Sequence, residues 1–146
     1  MEQLENLCVS HVEPILTVSS DLGLVNSLNK MNRISLSMDI PYPQIIASSE
    51  YEPNKTRIMF TGHKDWLFAL TKKLETNDFK LSTSVQVGLF ISGFGLTSST
   101  YEQAVFEKLG VLNIKILKYI RDAKGLLLIY NQDMKQQMIE FAEKLI

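Results

Sequence analysis

What this chain has little of narrows its chemistry first. A single cysteine, Cys8, stands among 146 residues, which excludes a disulfide framework and points to a reducing compartment. The only histidines are His11 and His63. Neither has a cysteine or carboxylate at zinc-ligand spacing, so no metal site and no acid–base pair can be assembled from them. Seven glycines and four prolines are too few for a low-complexity or collagen-like chain. An excess of one charge is missing as well. Fifteen Lys and Arg against sixteen Asp and Glu give a net charge of -1, which supports neither nucleic acid nor an anionic membrane as a partner. No apolar run approaches the roughly 20 residues of a membrane helix. The opening Met1-Glu2-Gln3-Leu4-Glu5 is acidic and lacks the basic start of a signal peptide. With 45% apolar and 21% charged residues, the expectation is a soluble, cytoplasmic, mixed α/β protein of one ordinary or two small domains.

Periodicity then orders the chain. Residues 1–12 show no firm pattern and read as a leader, a linker remnant or an edge strand. Pro14 to Ser19 reads as a strand, and Ser19-Ser20-Asp21 offers helix N-cap side chains. Leu24, Val25, Leu28 and Met31 recur at helical spacing, which predicts a helix over about 22–32. Ser35 to Ile40 alternates strictly and predicts a strand, interrupted by Pro41-Tyr42-Pro43. Strands follow at Gln44–Ala47 and Lys55–Thr61, with a polar turn between them over Glu50–Asn54. Trp66, Leu67, Leu70 and Leu74 mark a second helix, and Phe79 to Val85 reads as a closing strand.

The same order returns in the second half. Val87 to Ser92 is a strand, Gly93 to Thr100 a Gly/Ser/Thr loop, and Tyr101 to Leu109 a helix with Ala104, Val105, Leu109 and Leu112 inward. Asn113 to Ile120 and Leu126 to Tyr130 are paired strands. Asn131-Gln132-Asp133 caps a last helix striped by Met134, Met138, Phe141 and Leu145. Two copies of one pattern in a chain this short predict an α+β protein built from two ferredoxin-like βαββαβ units in tandem. Each unit has an antiparallel sheet with its helices on one face. The boundaries expected are 1–13 leader or linker, 14–85 first unit and 86–146 second unit. Sheet edges left open would pair two chains as a homodimer.

Catalytic chemistry finds no foothold in these residues. Gly93-Phe94-Gly95 follows a strand and opens a helix, as a phosphate loop does. Ser98 stands where a dinucleotide fingerprint wants its third glycine, and no Walker lysine follows. What the loop does offer is backbone N–H groups at a helix N-terminus, which suit any anionic group. Ser19-Ser20-Asp21-Leu22-Gly23 is its counterpart in the first copy. For Asp21 and Ser99 the plainer alternative is helix capping. Trp66, Phe68, Phe90 and Phe106 read as core.

At these residues the chain resembles a known family. Val87-Gly88-Leu89-Phe90-Ile91-Ser92-Gly93-Phe94-Gly95-Leu96, then Val105-Phe106-Glu107-Lys108-Leu109, then Leu112-Asn113-Ile114-Lys115-Ile116, resemble the second ACT domain of aspartokinases. Leu24 to Met31 and Ile34 to Ile40 resemble, more loosely, the helix and following strand of the first. The likeness covers about residues 14–146. It implies a tandem ACT regulatory module that binds a free amino acid, lysine or threonine, and biases an aspartokinase catalytic domain. Such a module is not itself an enzyme and needs no cofactor or metal. A separate regulatory subunit, a fragment and a stand-alone sensor all fit, as does a ligand-free ACT-type dimerisation or interaction module.

An amino-acid zwitterion sets the expected site. Its carboxylate needs donors, which helix N-termini at Ser20, Asp21, Leu22, Gly23 and Leu24, and at Gly95, Leu96 and Ser98, would supply. Its ammonium needs acceptors: Asp21, the carbonyls of a Ser35, Ser37 and Met38 strand, and the amide of Asn113 beside Ile114. A lysine side chain would add Asp39 or Asp21. The bland alternative for Ser35, Ser37 and Asp39 is the polar face of a half-buried strand.

Overall fold

The computed structural model describes residues 8–82, 84–92, 99–121 and 125–145. Its chain divides into two units, Glu13–Val85 and a second that joins Met1–Val12 to Gln86–Ile146. The dividing point falls within one strand, β1 (Cys8–Ser20), beside Pro14. Proline has no N–H to give a ladder, so a change of partners costs least there.

In the Glu13–Val85 unit, β1 leads to α1 (Leu24–Ser37), β2 (Gln44–Glu52), β3 (Lys55–Thr61), α2 (Lys64–Glu75) and β4 (Phe79–Leu81). β1 pairs antiparallel with β3 and with β4, and β3 pairs antiparallel with β2. The resulting order, β4-β1-β3-β2, is that of a ferredoxin-like unit. Alternate residues Leu16 and Val18 of β1 and Ile58 and Phe60 of β3 face the helices. They pack there with Met31 and Ile34 of α1 and Leu67, Leu70 and Leu74 of α2. Burial of each such side chain stabilises the fold by about 1.5–3 kcal/mol. The opposite faces of the same strands also carry buried side chains, Ile15 and Met59.

The β2–β3 hairpin is longer than its sequence suggests. Glu52 pairs with Lys55, which leaves Pro53-Asn54 as a two-residue turn, with Asn54 at φ 59. Asparagine tolerates that left-handed conformation. Glu50, expected in a turn, is therefore a strand residue opposite Thr56.

The second unit follows the same plan. β5 (Gln86–Ser92), α3 (Ser99–Val111), β6 (Lys118–Arg121), β7 (Gly125–Asn131), one 3-10 turn (Gln132–Met134) and α4 (Lys135–Leu145) follow in sequence. β5 and β6 each pair antiparallel with β7, and β1 lies beside β5, giving the order β1-β5-β7-β6. Val87, Leu89 and Ile91 of β5 and Leu126, Leu128 and Tyr130 of β7 pack with Val105 and Leu109 of α3 and with Met138, Phe141 and Leu145 of α4. Val9 of β1 packs against this cluster. A Cβ placed on Gly125 would lie 2.2 Å from the Ile91 carbonyl oxygen, so the β5–β7 approach requires a residue without one. The leader or linker expected over residues 1–13 is thus strand from Cys8 onward.

The largest departure from the expected elements is α1. Ser35 to Ile40 was expected as a strand; instead α1 runs to Ser37, with Met38 as its C-cap. The alternation misleads because Ser27, Met31, Ile34 and Ser35 also share one helical face, and all four are buried. Ser35 tolerates burial by donating its hydroxyl to Met31 O at 3.0 Å. Val25, placed inward from the sequence, points outward and is 69% exposed.

Both first helices end in the same way. Ile40 N donates to Ser35 O and Asp39 N to Leu36 O; Ile114 N donates to Leu109 O and Asn113 N to Gly110 O. Asp39 and Asn113 both have φ 55. This is the Schellman pattern, with a left-handed residue after the helix and an apolar residue folded back onto it. Ile40 and Ile114 are those apolar residues, each packed on its own unit's core. The strand expected from Asn113 to Ile120 is accordingly shorter. Only Lys118–Arg121 is strand, because Asn113 and Ile114 finish a helix.

Candidate functional site

The N-terminus of α1 is built from four elements. Ser20, at the end of β1, is only 7% exposed, and its hydroxyl lies 2.7 Å from that of buried Ser27. Leu22 N donates to Ser20 Oγ at 3.4 Å. Thr56 Oγ1 donates to Leu22 O at 2.7 Å, and Ser27 Oγ donates to Gly23 O at 2.9 Å. Gly23 is the N-cap and carries no side chain with which to cap. Glu50 substitutes for it: Leu24 N donates to Glu50 Oε1 at 3.0 Å. A carboxylate at a helix N-terminus is favoured by both the free N–H groups and the helix dipole. Glu50 and Thr56 face each other across the β2–β3 hairpin. One grips an N–H of the β1–α1 connection, the other a carbonyl.

Of the residues expected in this unit's site, Ser20, Leu22, Gly23 and Leu24 stand together at this end, and Asp21 among them is exposed. Ser35, Ser37, Met38 and Asp39 do not join them. They occupy the other end of α1, whose 14 residues span about 20 Å. Strand carbonyls between Ser35 and Met38 are likewise not on offer, because those residues are helix and cap. Ser37 Oγ donates to Ile34 O at 2.7 Å, and Met38 N donates to the same oxygen at 3.1 Å. Within this unit, one amino acid would not touch both sets.

In the second unit, Gly95, Leu96 and Ser98 lie outside the described residues. Asn113 is exposed, whereas Ile114 is 8% exposed. Ile114 helps line a depression of about 360 Å³ with Phe106, Leu109, Ile116 and Tyr119. The Phe106 and Tyr119 rings meet edge to face at 5.2 Å.

Glu50, Ser27 and Thr56 were missed from the sequence. A regular two-residue turn at Pro53-Asn54 would pair Glu50 with Arg57; the irregularity between Glu50 and Glu52 is what sets Glu50 opposite Thr56, and the sequence carries no signal for it. His63 caps α2, its Nδ1 accepting from Asp65 N at 3.3 Å. Cys8 is exposed. Phe68, read as core, is 37% exposed. Among the described residues, no three His, Cys, Asp or Glu side chains gather as metal ligands would. No helix among those residues is long and apolar enough to cross a membrane.

Neither a protein-family model nor a curated protein sequence matches the chain. Solved structures do. The ligand-free regulatory subunit of aspartate kinase from Thermus thermophilus superposes with a TM-score of 0.65 at 15% identity, covering 99% of both chains. The fold is that of an aspartate kinase regulatory subunit. A putative C-terminal regulatory domain of aspartate kinase from Porphyromonas gingivalis matches at TM-score 0.59 and 14% identity, over 96% of this chain and 97% of that one. Aspartokinase III from E. coli, in complex with lysine and aspartate in its T-state, matches at TM-score 0.57 and 13% identity. There 99% of this chain is covered but only 33% of the larger enzyme.

Proposed function

We propose that the chain is a non-catalytic regulatory module of the aspartate kinase type. It binds a free amino acid, lysine or threonine, forms a homodimer through its two ACT-type βαββαβ units, and biases an aspartate kinase catalytic domain. The observation that carries this reading is the end-to-end match, 99% of both chains, to an isolated regulatory subunit. Lysine is the first effector to test, since an aspartokinase of the same fold was solved with it. The effect on a catalytic partner is a population shift, limited to the effector's differential affinity for two arrangements, typically about 1–3 kcal/mol.

Glu50 bears on where the effector sits. With its carboxylate on Leu24 N, an effector carboxylate at Ser20–Leu24 has to displace a tethered competitor. The segment with Gly95, Leu96 and Ser98 ahead of α3 is therefore the preferred carboxylate cradle. Asn113, past the far end of that 13-residue helix, is about 20 Å along it and is not assigned to the same amino acid's ammonium. The same contact favours a second reading, in which the module binds no ligand and serves only dimerisation or partner assembly. Isothermal titration with lysine, threonine and methionine separates the two. The sensing reading expects saturable heat from at least one, with amide shifts near residues 93–100. Absence of heat from all three overturns it and leaves the assembly reading.

A further inference from the structure

The helical layer of the Glu13–Val85 unit holds a feature that amino-acid sensing does not use. Lys30, Arg33 and Ser37 are spaced three and four apart, so they share one face of α1. They line a cleft of about 410 Å³ with Ile34 beneath and with Lys73 and Asn77 on the α2 side. Three of the six lining side chains are cationic and none is acidic, in a chain whose net charge is -1. The cleft already handles a carboxylate. Lys30 Nζ, on a side chain only 24% exposed, holds Asp78 Oδ2 at 2.6 Å. Asp78 reaches it from a left-handed backbone, φ 71. Among the described residues, Arg33 and Lys73 have no ion-pair partner. Ser37 and Asn77 add a hydroxyl and an amide at the rim. Arg33 brings a planar, forked donor set and Lys73 a point charge, which together suit compact oxyanions.

We propose that this cleft is a binding site for a small dianion of the phosphate-monoester or dicarboxylate class. Three cations less the Asp78 carboxylate leave two charges to neutralise, and the open cleft has room for a small dianion beside them. Asp78 is a resident competitor that holds Lys30 in place when no ligand is bound. The site is independent of the amino-acid reading, because it lies on α1 and α2 away from the N-terminus of α1.

The test is a backbone and side-chain amide titration of the full chain with inorganic phosphate and, separately, with succinate. Sodium chloride at equal ionic strength is the control. Arg33, Ser37 and Asn77 signals are expected to shift and saturate at millimolar ligand. Saturation by phosphate alone assigns the phosphoryl class, by succinate alone the dicarboxylate class, and by both the shared dianion chemistry. Replacing both free cations, Arg33→Gln with Lys73→Gln, is expected to weaken binding by about tenfold or more, as loss of charge-assisted contacts does. Both side chains are exposed, so the fold survives. Asp78→Asn keeps a residue that tolerates the left-handed backbone, and by freeing Lys30 it is expected to tighten binding severalfold. Lys64→Gln removes the same charge at the far end of α2 and leaves affinity unchanged. Shifts that sodium chloride reproduces, an equal loss in Lys64→Gln, or unchanged affinity in Asp78→Asn each overturn the site.

Discussion

The two units close their first helices identically and fill them differently. Ser35 and Leu109 occupy the same place, four residues before the left-handed Asp39 or Asn113, and both carbonyls accept the returning isoleucine N–H. One turn earlier, Met31 and Val105 are both buried. Yet at that shared place one unit buries a serine hydroxyl, bonded back to its own helix, and the other buries a leucine. The helix terminus is fixed by backbone geometry. The buried face accepts any side chain that fills its volume and satisfies its polar atoms.

Substitutions at the paired positions sharpen this contrast, and unit-resolved hydrogen exchange in urea reads each one. Leu109→Ala opens a cavity in the second unit and is expected to cost about 2–5 kcal/mol there. Ser35→Ala removes only a bond to a carbonyl that the helix already uses, so it should change stability by less than about 1 kcal/mol. Equal costs at the two positions would break the comparison. Ser35→Leu tests it from the other side: overpacking beside Met31 is expected to cost about 1–3 kcal/mol. Asp39→Ala and Asn113→Ala should each cost about 1 kcal/mol, because alanine resists the left-handed backbone, while glycine at either position recovers the loss. Glu50→Gln is expected to have the smallest effect, about 0.5 kcal/mol, since it weakens one solvent-exposed cap whose charge salt already screens. Its counterpart measurement is a reduced salt dependence of exchange at Leu24.

Much of the fold could be read from the sequence where one period dominates. Lys55–Thr61 is a strand over the residues expected, and the stripe Met138, Phe141 and Leu145 faces its core. The reading failed where two periods coincide. Ser35-Leu36-Ser37-Met38 alternates like a strand, yet Met31, Ile34, Ser35 and Met38 also fit a helix, and only tertiary packing decides between them. It failed again where a partner is remote in sequence. Nothing local in Cys8–Val12 reveals that its neighbour is β5. The β1–α1 connection is legible in its serines and glycine as the start of a helix. Its clasp by Glu50 and Thr56 is not, because it depends on a strand that runs on to Glu52 and on the irregularity between Glu50 and Glu52, both inside the apparent turn. Asp39 and Asn113 were chosen for their polar groups, whereas the backbone uses them for their tolerance of positive φ.

Strand β1 carries one last consequence. A gene cut between Val85 and Gln86 would not release two whole modules, because the later one would be left without the strand encoded near the start. During synthesis that early strand emerges with no mate to hold it. It must wait until the whole of the first module and then β5 have been made before its half of the ladder can form.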